Sequence, residues 1–171
     1  MIECKSEIQN MKNVAIQHPK TSIEPGVDGK IVLDKLFEVK HIPVGIQDWY
    51  KALEKGLRDY DDKIWTNIGN VYIGVYSPEK SFASVRLNKA SIQVEYFSRG
   101  TPISGTKVAN IKSSPRWGKF SIKQEGQLQW ALGVLKESQA RLKAAMKDGE
   151  PTAYFSGGVR PGNSHEEEEQ D

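Results

Sequence analysis

The sequence predicts a single α+β domain in which two amphipathic helices cover a mostly antiparallel four-stranded sheet, a three-strand meander plus one further strand. Three observations carry that expectation. Ile46, Trp49, Tyr50, Leu53 and Leu57 fall at i, i+3, i+4, i+7 and i+11, one face of an α-helix. The period then drops to two, with Val71, Ile73 and Val75 alternating with Tyr72, Gly74 and Tyr76. Near the end, Leu128, Ala131, Leu132, Leu135, Leu142 and Met146 draw a second helical stripe over about 125–147. Both stripes must be buried, and a sheet face is the economical place for them.

Taken in order, residues 1–29 show no clean period. His18-Pro19, Glu24-Pro25-Gly26 and Asp28-Gly29 are turn chemistry, so the stretch reads as a flexible N-terminal arm. Residues 30–42 fit a short helix or a strand pair equally well, and Pro43 closes them. The helix that follows should end near 59–62. The strand from Val71 to Tyr76 is apolar on both faces and is expected to be central in the sheet. A turn at 77–80 leads to a second strand, Phe82 to Leu87, and Asn88-Lys89 turns into a third, Ser91 to Phe97. Ser98 to Arg116 is a long aperiodic loop, and loops of that length in compact domains are usually functional. Trp117 to Ile122 reads as the fourth strand. The last helix ends at Gly149 and Pro151, and residues 149–171 read as a disordered acidic tail. The domain itself is expected to occupy 30–148.

A chain of 171 residues suits one domain, and 37% hydrophobic residues with 15 aromatics suffice for one core. No apolar run approaches the roughly 18 residues that a membrane span needs. Met1 to Asn10 contains no apolar signal region, and Cys4 is the sole cysteine, which together lead us to expect a reducing, cytoplasmic setting. The net charge of +2 hides an asymmetry: residues 1–147 carry 23 basic and 15 acidic side chains, a net of +8, while seven acids and one arginine follow. A basic body with an acidic tail points to an anionic partner.

Catalytic and metal-binding patterns are absent from the sequence. His18, His41 and His165 are far apart, Asp59, Asp61 and Asp62 read as a solvated helix end, and neither a nucleophile elbow nor a phosphate-binding glycine loop occurs. The expectation is no catalytic residue, no metal and no cofactor. The order of elements is similar to the core of restriction-type nucleases, which need a carboxylate and a Glu-x-Lys or Asp-x-Lys pair to hold Mg²⁺. Glu95-Tyr96-Phe97 lacks that lysine.

The strongest local signal is electrostatic. Between Glu95 and Glu125 lie 29 residues without an acid but with Arg99, Lys107, Lys112, Arg116, Lys119 and Lys123. Such a cluster suits phosphate contacts, with Trp117 either stacking on a base or packing into the core where its strand begins. Trp130 and Val134 lie off the last helix's main stripe, and offer either a second packing face or a partner surface.

From about Ile46 to Leu142 the chain resembles a bacterial domain family labelled "predicted transport protein", whose members occur alone or fused to restriction-type endonucleases. The resemblance rests on Trp49, Tyr50 and Leu53, on Val71 to Tyr76, on Phe82-Ala83-Ser84-Val85, on Ile92-Gln93-Val94, on Trp117-Gly118-Lys119-Phe120-Ser121-Ile122, and on the Leu128/Leu132/Leu135 helix. It implies a fold and a defence-associated context, and supplies no catalytic residues. Pro115-Arg116 before Trp117, the longer basic loop and both terminal arms depart from the family pattern.

The combined expectation is a non-enzymatic module that contacts nucleic acid through Arg99, Lys107, Lys112, Arg116, Lys119 and Lys123, with Trp117 as a stacking candidate. The alternatives are a protein-interaction module, acting as an inhibitor or a subunit of a larger complex, and a degenerate restriction-type nuclease fold.

Overall fold

A computed structural model of the chain describes residues 27–78, 80–109 and 116–152; most of the expected arm (1–26) and most of the acidic tail (153–171) lie outside them. The described residues form α1 (Val27–Val39), α2 (Val44–Tyr60), β1 (Trp65–Ile68), β2 (Ile73–Ser77), β3 (Lys80–Leu87), β4 (Ile92–Phe97), β5 (Lys107–Val108), β6 (Trp117–Ile122), a 3₁₀ turn (Glu125–Gln127) and α3 (Leu128–Lys147). The strands make one sheet in the order β1-β2-β3-β4-β6-β5, with every neighbouring pair antiparallel.

The α+β class and the β2-β3-β4 meander agree with the sequence reading, and β2 does lie inside the sheet. Three elements exceed it. The ambiguous segment 30–42 is helical as far as Val39, within α1, which buries Val32, Leu33, Leu36 and Phe37 on one face. Its C-terminus is a Schellman cap: Ile42 N–H donates to the Phe37 carbonyl and His41 N–H to that of Glu38, with His41 itself left-handed at φ 52°. Pro43 then stands at the N-cap of α2. Strands β1 and β5 are four and two residues long. Such short pieces carry no alternation of their own, and their pairing partners define them.

Cross-strand partners share a face of the sheet. One face holds the rows Ile73-Val85-Val94-Phe120, Val75-Ala83-Tyr96-Gly118 and Leu87-Ile92-Ile122, all buried. The helices cover it, α2 through Ile46, Tyr50, Leu53 and Leu57, and α3 through Ala131, Val134, Leu135, Leu142 and Ala145. Gly56 lets the two helices approach, since a Cβ there would come 2.7 Å from Leu132. The opposite face is open in part, with Ser84 buried and Tyr76 laid across Gly74. Its rows are Gly74-Ser84-Glu95-Lys119-Lys107 and Arg86-Gln93-Ser121, with Arg86, Gln93 and Lys107 exposed.

The buried face of α3 is turned from the expected stripe. Leu128 and Leu132 are only half-buried and Met146 is exposed, while Val134, Ser138 and Gln139 point inward. Those two polar residues are satisfied. Ser138 Oγ lies 3.0 Å from the carbonyls of Phe82 and Phe97, and Gln139 Nε2 donates to Ser77 Oγ (2.7 Å) and Asp61 Oδ2 (2.8 Å). Asp61, read as part of a solvated acidic cluster, is therefore the C-cap of α2 and a fastening for α3. Burial opposes its ionisation, but hydrogen bonds from Lys63 N–H and Gln139, with Lys143 nearby, hold its carboxyl below the usual range.

Tyr96 lies across Gly118, its cross-strand partner, where a Cβ would come within 2.6 Å of Tyr96 Cε1. Gly118→Ala should therefore lower stability by about 1–3 kcal/mol, the usual cost of overpacking, read from the urea midpoint. An unchanged midpoint would show that the Tyr96 ring is not fixed against the strand.

Candidate functional site

The expected free basic loop is pinned at both ends. Ser98 N–H donates to the Arg116 carbonyl at 2.7 Å, so the entrance and exit of the loop touch. Arg99 (φ 59°) and Gly100 (φ 99°) are both left-handed and make a tight reversal, over which Arg141 donates to the carbonyls of Ser98 and Thr101. The Tyr96 hydroxyl accepts from Ile103 N–H at 2.8 Å and lies 2.5 Å from Thr106 Oγ1. The chain then enters β5 and pairs with the start of β6.

This path separates the five described cations of the acid-free interval. Arg99 and Arg116 are committed to structure. Gly149, left-handed at φ 67°, caps α3 and directs Glu150 back toward the sheet. There Arg99 Nε meets Glu150 at 2.6 Å, Arg99 Nη2 meets Asp148 at 2.7 Å, and Arg116 Nη2 meets Glu150 at 3.2 Å. The Arg116 guanidinium also sits 5.8 Å above the Phe97 ring. The folded body thus runs through Thr152, which is buried, rather than stopping at 148. Lys112 lies outside the described residues.

Trp117 is fully buried, edge-on to Phe97 at 6.1 Å. It is a core residue at the start of β6, and a ring with no exposed face cannot stack on a base. Its stacking role is corrected on that ground.

Lys107, Lys119 and Lys123 instead meet around a 540 Å³ concavity beside β6. Lys107 and Lys119 are direct cross-strand partners, and Lys123 follows two residues after Ser121, just beyond the strand end. Among the described residues no hydrogen-bonded ion pair engages any of the three. Glu95 lies opposite Lys119 on the other side. Burial raises its carboxyl pKa and the Lys119 charge pulls it back, so the row tolerates one half-buried acid among its cations.

The concavity exists because β5 begins late. The chain arrives beneath Trp130 through Gly105, left-handed at φ 86°, and β5 then covers β6 only at Lys119 and Gly118. Trp117 C=O accepts from Ala109 on that side, so by alternation the backbone groups of Ser121 face the same open edge. Phe120 and Trp130, 5.0 Å apart and edge-to-face, form the aromatic wall. Gln127 Oε1 fixes the rim by accepting from Lys123 N–H (2.7 Å) and Gln124 N–H (3.2 Å).

Three flexible ammonium groups over an aromatic wall suit a polyanion with flat substituents. The described residues hold no group of three His, Cys, Asp or Glu that could grip a metal, and no helix long and apolar enough to cross a membrane. The sequence pattern left Phe120 and Gln93 unmarked, and offered Trp130 only as a packing face or partner surface apart from the cations. The available signal was the period-two alternation of Gln93 with Glu95 and of Lys119 with Ser121, which marks a polar sheet face.

Hydrogen bonds and charge from Arg99, then Arg116, hold the Glu150 carboxyl below its usual range. A group whose pKa is depressed by folding contributes stability above its unfolded value, about 4.3, and loses it as pH falls through the folded value. The melting temperature of Glu150→Gln should therefore lie below that of the parent at neutral pH, and the gap should close below about pH 4. A gap independent of pH would mean that the ion pairs contribute nothing.

Comparison of the chain with protein-family models, curated proteins and solved structures finds no match, and the site stands on its own chemistry.

Proposed function

We propose that this chain is a non-enzymatic nucleic-acid-binding module that takes phosphates on Lys107, Lys119 and Lys123 around the concavity beside β6. The observation that carries this reading is the contrast between two sets of cations. Arg99 and Arg116 are neutralised by Asp148 and Glu150, whereas the three lysines converge on open space with no carboxylate bonded to them. Three lysines around one half-buried carboxylate, Glu95, leave an excess of positive charge that favours a ligand bringing its own negative charge, and release of that ligand's counterions adds to affinity. A defence-associated bacterial or phage setting, implied by the family resemblance, belongs to the same proposal, and Lys112 is retained as a further phosphate contact.

Fluorescence anisotropy with labelled oligonucleotides at several salt concentrations tests the reading. Three phosphate contacts, or four with Lys112, predict a slope of log K against log salt of about −2 to −3, at roughly −0.7 per contact for a single strand. Charge reversal at Lys107, Lys119 and Lys123 together should weaken binding by at least tenfold. Undiminished binding by that triple variant, or no binding by the parent chain at low salt, would overturn the proposal.

A further inference from the structure

The lysine concavity is one end of a longer surface. From it the row Ser121-Gln93-Arg86 crosses β6, β4 and β3 on the open face of the sheet. At the far end Arg86 lies exposed with its guanidinium 6.0 Å over the ring of Tyr72, the residue just before β2. Lys40 reaches the same corner, where its Nζ lies 3.4 Å from the Val71 carbonyl. Burial and the neighbouring Arg86 charge hold the Lys40 ammonium below its usual range. Two cations are thus kept close together, and among the described residues no carboxylate is bonded to either.

We propose that the open sheet face is a track for single-stranded nucleic acid, running from Lys107, Lys119 and Lys123 across Gln93 to Arg86 and Lys40. This rests on the nucleic-acid reading above and adds strand state and direction to it. The distance from β5 to β2 is four strand spacings, about 19 Å, which is room for several nucleotides. Cationic groups at both ends suit phosphates. Between them, Gln93 offers an exposed amide to a base edge, and at the far end the planar Arg86 guanidinium, 6.0 Å over the Tyr72 ring, offers a flat surface to a base. Trp130 offers a second aromatic surface at the concavity, where it is half-exposed. A duplex keeps its bases stacked inside and could use only the phosphate-binding ends of this surface; an unpaired strand can use all of it. The same charge layout would attract a base-free polyanion such as heparin, which makes heparin the discriminating control.

The test compares one labelled sequence as a single strand and as a duplex at equal salt, with heparin as competitor. The track predicts a single-strand preference of tenfold or more. Gln93→Ala and Arg86→Lys, both at exposed positions, should each weaken single-strand binding several-fold and leave duplex binding unchanged. Arg86→Lys keeps the charge and removes the plane, so a loss there reports stacking rather than electrostatics. Equal affinity for both strand forms, or no effect of either variant, overturns the track. If the lysine triple variant has still lost binding, the proposed function survives that result. No binding of any oligonucleotide at low salt would remove both.

Discussion

The register between β4 and β6 decides which residues this protein buries and which it presents. The two strands flank the loop from Ser98 to Arg116, and their pairing matches Ile92 to Ile122, Val94 to Phe120 and Tyr96 to Gly118 on the helix side. The same register sends Gln93 with Ser121, and Glu95 with Lys119, to the open side. Because side chains alternate with a period of two, a slip of one residue would drive the lysine inward and the isoleucines into water. Tyr96 over Gly118 guards against that slip, because the ring fits only where its partner has no side chain. Ser138 adds a second fixed point by bridging the carbonyls of Phe82 and Phe97 from α3.

Charge is sorted by the same geometry. The loop leaves β4 and returns to β6 at one end of the ladder, where Gly149 turns Asp148 and Glu150 toward it. Arginines there become fasteners, with planar groups matched to carboxylates. At the other end β5 has not yet begun, and the lysines on the exposed rows meet no acid except half-buried Glu95. Side chains from one acid-free stretch of sequence thus take two unlike roles, set by whether the end of α3 lies within reach.

Much of the fold was legible in the sequence, and the illegible parts share a cause. The meander, β6 and the two long helices announce themselves through local period, which needs no knowledge of partners. Helix α1 was ambiguous because Ile31, Val32, Leu33, Leu36 and Phe37 satisfy either period, and the Schellman cap at His41 decides it through backbone bonds that no pattern reveals. β5 is a strand only because β6 lies beside it. The stripe of α3 was misplaced because Ser138 and Gln139 are polar yet buried, while Met146 is apolar yet exposed; the first two are bonded to groups as far away in sequence as Asp61. The site was half legible for a related reason. Charge along the chain marked the interval that holds Lys107, Lys119 and Lys123, but counting charges could not show that Asp148 and Glu150 fold back onto Arg99 and Arg116, nor that Trp117 is enclosed.

The central claim is that the open lysine edge of the sheet, and not the arginine end of the loop, receives nucleic acid. Amide NMR shifts recorded during titration with a short single strand test it most directly, residue by residue. The account predicts changes at Lys107, Lys119, Ser121 and Lys123, extending to Gln93 and Arg86, with Arg99, Arg116 and Trp117 quiet. Shifts concentrated at Arg99 and Arg116, or no shifts along β6 at all, would contradict it.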